Sequence, residues 1–381
     1  MMLLSAPNIS GNEWKYVKEC LDTAWVSSVG KYVDKFEQMV AEYAGAKYGV
    51  AAVNGTSALH IALMLVGVKR KDYVIVPNIT FIASINSIKY TGANPILIDV
   101  DYDTWQINLD LLEEYLETQT EWKGEKLCLK KNGRRVSAIM PVHVLGNICD
   151  MDRFMSITRK YKLKVVEDAT EALGSRYKGI APGTFGEIGC FSFNGNKIIT
   201  TGGGGVIVTN DEELAKKAKH LTTQAKSDPM EYIHDEVGYN YRLVNVLAAM
   251  GVAQMEQLPS FVRRKQEIAD YYIHHLKDLA DFKFQKIDPS VESNQWLFTF
   301  QTKYQKILLK YLNEQGLQSR PFWQPMNKLK MFRKDIYVTK EDISHKVYEN
   351  ALSIPCSTYL TNEDLDKVIE AIKFVIQNNQ L

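Results

Sequence analysis

Lys197 ends the run Cys190-Phe191-Ser192-Phe193-Asn194-Gly195-Asn196-Lys197 and is followed by Thr200-Thr201, the glycines Gly202 to Gly205 and the apolar stretch Val206-Ile207-Val208. Glycines let backbone approach a flat ligand closely, so an amine at this run could meet a cofactor at the mouth of a sheet. A lysine considered alone is a surface group by default, and only its neighbours change that. One neighbour is Asp168, which closes Val165-Val166-Glu167-Asp168. That run predicts a parallel strand with its acid at the carboxyl end, where open α/β sheets place ligands. A buried carboxylate needs a cation; a protonated pyridine nitrogen is one source, and a structural aspartate capping the next turn is the competing reading. The third piece is Asn54-Gly55-Thr56-Ser57, before a helix whose buried face reads Leu59, Ala62, Leu63, Val66. Free N–H groups and the dipole at such a helix start favour an anion, although capped turns of this composition are common. Nucleotide loops do not account for these glycines. Ile198 follows Lys197 where a phosphate loop requires Ser or Thr, and no glycine fingerprint opens a helix early in the chain.

These groups need a scaffold. Short apolar runs at Tyr48–Val53, Tyr73–Pro77, Pro95–Val100, Val136–Val142, Leu163–Glu167 and Gly205–Thr209 are mostly separated by helix-length segments. The alternation predicts a mainly parallel, doubly wound sheet between helices, an α/β fold. Ser10-Gly11-Asn12-Glu13 has capping-box spacing ahead of Trp14, Val17 and Leu21, which predicts an opening amphipathic helix. The lysine-rich stretch 121–135, with Asn132-Gly133, reads as a solvated loop or hairpin. A helical pattern from Asn240 through Gln257, then Pro259 and a second helix to about Leu279, suggests a hinge. Thr361-Asn362-Glu363-Asp364 caps a last helix with Leu365, Val368, Ile369 and Ile372 on one face. The expected division is a large cofactor-binding domain over 13–250 and a small C-terminal domain over 251–381, joined by residues 1–12.

With 381 residues the chain is long enough for two domains, and 45% hydrophobic with 24% charged residues is the mix of a globular protein. A net charge of +1 gives no field to gather polyanions, so neither nucleic acid nor a membrane surface is an expected partner. The five cysteines contain no CxxC pair, which fits neither a disulfide framework nor a metal site. The apolar stretch Ala58 to Val68 is too short to span a bilayer, and the first residues lack a signal-peptide pattern. A soluble, cytoplasmic protein is expected.

Further segments complete the pattern: Trp25-Val26-Ser27-Ser28, Pro77-Asn78-Ile79-Thr80-Phe81-Ile82-Ala83-Ser84, Pro141-Val142-His143-Val144-Leu145-Gly146, Gly238-Tyr239-Asn240-Tyr241-Arg242 and Ser353-Ile354-Pro355-Cys356-Ser357. In this order, nearly end to end, the chain resembles the fold type I sugar aminotransferases of the DegT/DnrJ/EryC1/StrS family, which act on nucleotide-linked keto sugars. The resemblance implies a seven-stranded, mainly parallel sheet, a smaller α/β domain and pyridoxal 5'-phosphate as cofactor. It makes Lys197 similar to the lysine that forms the Schiff base and later carries a proton, and Asp168 similar to the carboxylate that pairs with the pyridinium nitrogen. Glu171 falls near the cofactor's phenolic oxygen, Phe81 stacks on the ring, and Gly55, Thr56, Ser57 and Ser192 match the phosphate set. Asn240 matches an asparagine supplied by the neighbouring subunit, hence a homodimer with shared sites.

The implied cycle takes an amino group from L-glutamate to a keto sugar. Segments 221–226, 234–237 and 320–323 look most like the branch that aminates C4 of UDP-4-keto-6-deoxy-N-acetylhexosamines on the bacillosamine and legionaminic acid routes. Trp25, Ser28, Arg242, Arg320 and Trp323 are then candidate substrate contacts, with packing an equal claim on each tryptophan. Alternatives are GDP- or dTDP-linked keto sugars aminated at C4 or C3, a sugar dehydratase on the same fold, whose relatives carry histidine in place of the lysine, and a regulatory protein. Two departures stand out: Asn327 occupies a position where the family often has histidine, and Glu171 replaces the commoner glutamine.

Overall fold

The computed structural model describes all residues of the chain apart from 229, 280 and 379–381. Its centre is an eight-stranded sheet. In chain order the strands are β1 (Tyr48–Ala52), β2 (Tyr73–Pro77), β3 (Asn94–Ile98), β4 (Val136–Ile139), β5 (Lys164–Asp168), β6 (Ile188–Ser192), β7 (Gly205–Thr209) and β8 (Ile336–Val338). Their spatial order is β1-β7-β6-β5-β4-β2-β3-β8. Only β7 runs against the rest, pairing antiparallel with both β1 and β6. Seven strands match the expectation and β8 is an addition, pairing parallel with β3 from far along the sequence. Its three residues, set between Lys334-Asp335 and Lys340-Glu341, are too few to show a periodicity.

The sheet is covered on both faces, as a mainly parallel sheet must be. Val74 and Val76 of β2 join one core cluster, whereas Tyr73 and Ile75 join the other. The period-two alternation thus sends neighbouring side chains to opposite layers. The helix Gly55–Leu65 is buried along nearly its whole length, including Leu59, Ala62 and Leu63. A second, antiparallel sheet orders Lys283–Phe284, Thr299–Gln301, Ala351–Ser353 and Arg320–Pro321. Stretch 121–135 contains the expected hairpin, Thr120–Lys123 against Lys126–Leu129. The last helix, Asn362–Asn378, buries Leu365, Val368, Ile369 and Ile372 as expected.

Two local expectations are corrected. Pro259 does not break the chain's longest helix, Asn245–Leu276. Val252, Met255, Leu258, Phe261, Val262 and Ile268 keep one buried face through it, and packing outweighs the roughly 3 kcal/mol that an interior proline costs. Nor is Ser10–Glu13 a capping box. The helix Glu13–Asp22 has no side-chain cap; the Glu13 carboxylate is buried and accepts from Gly11 N–H at 2.8 Å and from the Gln254 and Gln257 amides. It ties the N-terminal segment to the long helix. The apolar face of that first helix points outward, with Trp14 80% and Leu21 62% exposed.

Candidate active site

A cavity of about 670 Å³ opens beyond the carboxyl ends of β1, β2, β5 and β6. Asn54 caps the Gly55–Leu65 helix, its Oδ1 accepting from Ser57 N–H at 2.8 Å, so Gly55 and Thr56 reach the cavity at the helix start. A Cβ on Gly55 would lie 2.8 Å from Ser192 Cβ and 3.1 Å from its Oγ. Only glycine lets the β1 turn and the end of β6 close into one corner, at a helix start that favours an anion. Ser57 contributes its N–H to the cap and is itself buried. Phe81, which starts the helix after β2, is 52% exposed and lines the cavity wall.

Asp168 ends β5 with its side chain 2% exposed overall as a residue. Its Oδ2 accepts from Ser84 Oγ at 2.6 Å and its Oδ1 from Thr170 N–H at 3.2 Å. Thr80 Oγ1 lies 2.6 Å from Ser84 Oγ, so the segment after β2 delivers a hydroxyl relay to the carboxylate. No cation contacts Asp168 among the described residues, which leaves its charge available to a ligand. Its neighbour Glu167 faces the opposite side of the strand. It is held by the backbone N–H groups of Gly183, Phe185 and Gly186 and lies 3.0 Å from His143 Nε2. Alternation along a strand splits the acidic pair into one structural and one site-facing group.

Lys197 projects into the cavity from the loop after β6. Its Nζ stands 3.9 Å from Glu171 Oε1 and 3.9 Å from the centre of the Trp296 ring. Glu171 Oε2 accepts from Leu145 N–H at 2.9 Å. Burial lowers the lysine's pKa, opposed by the charges of Glu171 and Asp168. Burial likewise pushes the Glu171 carboxyl up to about 7, with Lys197 pulling the other way. Burial thus shifts the amine down and the acid up, each opposed by the charge of the other.

Arg320 and Trp323 line the far side of the same cavity. Four expected residues lie elsewhere in this subunit. Trp25 borders a separate cleft with Cys20, Tyr32 and Asn245. Ser28 is in the turn just beyond it. Arg242 bridges to Ala52 through backbone, and Asn240, exposed, bridges to Thr223. Asn327 pairs with buried Asn78, donating its N–H to Asn78 Oδ1 at 3.0 Å and accepting from Asn78 Nδ2 at 2.9 Å, so it pins a loop to the end of β2. Sequence reading missed the roles of Ser84, which sat unexplained within Pro77–Ser84, and of Asn294 and Trp296, whose run Trp296-Leu297-Phe298 reads as ordinary core.

The description "DegT/DnrJ/EryC1/StrS aminotransferase family" matches residues 7–373. A GDP-perosamine synthase from Escherichia coli O157:H7 is 38% identical, covering 96% of each chain. A UDP-4-amino-4,6-dideoxy-N-acetyl-beta-L-altrosamine transaminase from Campylobacter jejuni is 30% identical, covering 91% of this chain and 90% of its own. Among solved structures, the aminotransferase TlmJ from Streptoalloteichus hindustanus superposes with a TM-score of 0.90 at 25% identity, over the whole of both chains. The residues present fit pyridoxal phosphate: an anion corner at Gly55, Thr56 and Ser192, an aromatic wall at Phe81, a buried carboxylate lacking a cation and an amine facing the space between them. The chain belongs to the DegT/DnrJ/EryC1/StrS family of pyridoxal-phosphate-dependent sugar aminotransferases.

Proposed function

We propose that this enzyme moves an amino group from L-glutamate to the C4 keto group of a nucleotide-linked 4-keto-6-deoxy sugar, UDP-2-acetamido-2,6-dideoxy-hexos-4-ulose. The observation that carries the chemistry is Lys197 Nζ beside Glu171 in a cavity at the ends of the sheet strands, with the buried Asp168 carboxylate close enough to act on the lysine's charge. Bound there, the cofactor supplies an aldehyde that accepts the amino group and a ring that withdraws electrons from the adjacent carbon. Asp168 would pair with the ring nitrogen and favour its protonated form. Gly55, Thr56, Ser57 and Ser192 would hold the phosphate, and Phe81 would pack on the ring. Lys197 would anchor the cofactor and, once released, serve as the acid and base that carries the proton.

Support for the UDP-N-acetyl sugar comes from segments 221–226, 234–237 and 320–323 and from the UDP-linked N-acetyl amino sugar for which the Campylobacter jejuni relative is named. The 38% identity to a GDP-perosamine synthase favours a second reading, a GDP-linked sugar. We further infer a cytoplasmic homodimer, each subunit with domains 13–250 and 251–381 meeting in the long helix. The outward-facing Trp14 and Leu21 and the exposed Trp25 and Val29 suit a subunit interface, and Asn240, Trp25, Ser28 and Arg242 would then serve a site across it. The deciding experiment offers L-glutamate with UDP-, GDP- and dTDP-linked 3-keto and 4-keto sugars. An amino product from the UDP-4-keto sugar alone is expected; turnover confined to GDP or dTDP sugars sinks the substrate assignment. No product, with no bleaching of the visible absorbance by L-glutamate, would favour a regulatory protein.

A further inference from the structure

We propose that the Trp296 ring and the Glu171 carboxylate form a holding site for the free ammonium of Lys197, receiving it whenever its nitrogen is not bonded to the cofactor. The inference rests on Lys197 being the cofactor's anchor and adds the two surfaces that hold it when released.

Trp296 is 3% exposed and fixed at each of its polar groups. Its backbone N–H donates to Asn294 Oδ1 at 2.9 Å, its carbonyl accepts from Lys265 Nζ at 2.7 Å, and its indole N–H donates to Asn196 O at 2.7 Å. Asn196 immediately precedes Lys197, so one bond sets the ring against the lysine's own loop. With every polar atom engaged, the ring offers Lys197 its negative π face, at 3.9 Å from Nζ to the centroid. Glu171 is held in the same frame. Its backbone carbonyl accepts from Asn294 Nδ2 at 2.9 Å, and its side chain from Leu145 N–H. Asn294 therefore spaces the ring and the carboxylate from one side chain. Leu145 has a left-handed φ of 60°, a strained conformation for leucine that places this N–H against Glu171.

A group that carries a proton between two carbons must return to the same place with its charge controlled. The charged groups acting on Lys197 are Glu171 and Asp168. Burial disfavours the ammonium, and the carboxylate and ring counter it, so that the proton the amine takes from one carbon stays on it until it is given to the other.

The test uses the full-length enzyme after L-glutamate, when the cofactor carries the amine and Lys197 is free. An amine-acylating reagent is applied across pH, and label on the Lys197 peptide is quantified by mass spectrometry. Biosynthetic fluorotryptophans of increasing fluorination keep the ring's shape and weaken its negative face. The half-labelling pH of Lys197 is expected to fall stepwise with fluorination, by about one unit for the most fluorinated ring, and to fall also in Glu171→Gln. Lys197 profiles that superimpose across the fluorination series overturn the holding site. Protection of Lys197 before L-glutamate, and its exposure afterwards, checks the anchor assignment separately in the same samples.

Discussion

At the scale of single residues, Asp168 depends on hydroxyl groups delivered by another element. Ser84→Ala removes the donor to Oδ2 and one of the two partners of Thr80 Oγ1. A hydrogen bond to a charged group contributes about 1.5–3 kcal/mol, so cofactor affinity is expected to weaken roughly 10- to 100-fold with the fold intact, measured by absorbance titration of the cofactor-free protein. Glu171 adds a pH dependence. Its folded pKa is raised from 4.5 to about 7 by burial, so its contribution to stability is fully present below the unfolded value and is lost as pH climbs through about 7. Glu171→Gln has no proton to lose. Relative to wild type, the variant should therefore gain on the order of 1–3 kcal/mol between pH 5 and pH 7.5, read by urea unfolding without cofactor. A stability difference that stays flat over that range contradicts the raised pKa.

At the scale of elements, the sheet is tied to the C-terminal part of the chain through one acid. Asp99, fully buried just after β3, accepts from the N–H groups of Val100, Ile343 and Ser344 and from the hydroxyls of Thr339 and Ser344. Five donors, with no cation beside them among the described residues, hold β8 and the helix Ile343–Asn350 against the sheet. Asp99→Asn turns an NH₂ group toward some of those donors, and a loss of about 3 kcal/mol is expected by urea unfolding. A midpoint unchanged within error would show that β8 is held by its ladder to β3 alone. Elements also explain what sequence reading caught and missed. The Asn54 cap and the β5 acid were legible because each is a local pattern, a helix start and a strand end. Pro259 misled because a local rule about proline was overridden by a buried face that continues on both sides of it. Glu13 misled because its partners, Gln254 and Gln257, are some 240 residues away.

At the scale of the molecule, Asn240 and Lys197 make the proposed shared site testable without a structure of the dimer. Lys197→Ala and Asn240→Ala are each expected to be nearly inactive alone. Co-refolded in equal amounts, they form mixed dimers in which one of the two sites carries both changes and the other none, so about a quarter of wild-type activity should return. Failure of the mixture to exceed its parents would place Asn240 and Lys197 in the same subunit's site or remove Asn240 from the chemistry. The exposed apolar face of the first helix sits outside any single-chain account, since in one subunit it covers nothing.

By itself the sequence determined the mainly parallel sheet between helices, the carboxyl-end acid, the glycine–hydroxyl turn and the lysine beside the glycine run, because strand periodicity, capping and glycine tolerance act within a few residues. Only the tertiary structure decided which groups support them. Ser84 beneath Asp168, Trp296 and Asn294 around Lys197, and the separation of Glu167 from Asp168 depend on chain crossings and on which face of a strand a side chain takes. Those are set by packing between segments about a hundred residues apart, for which no local pattern exists.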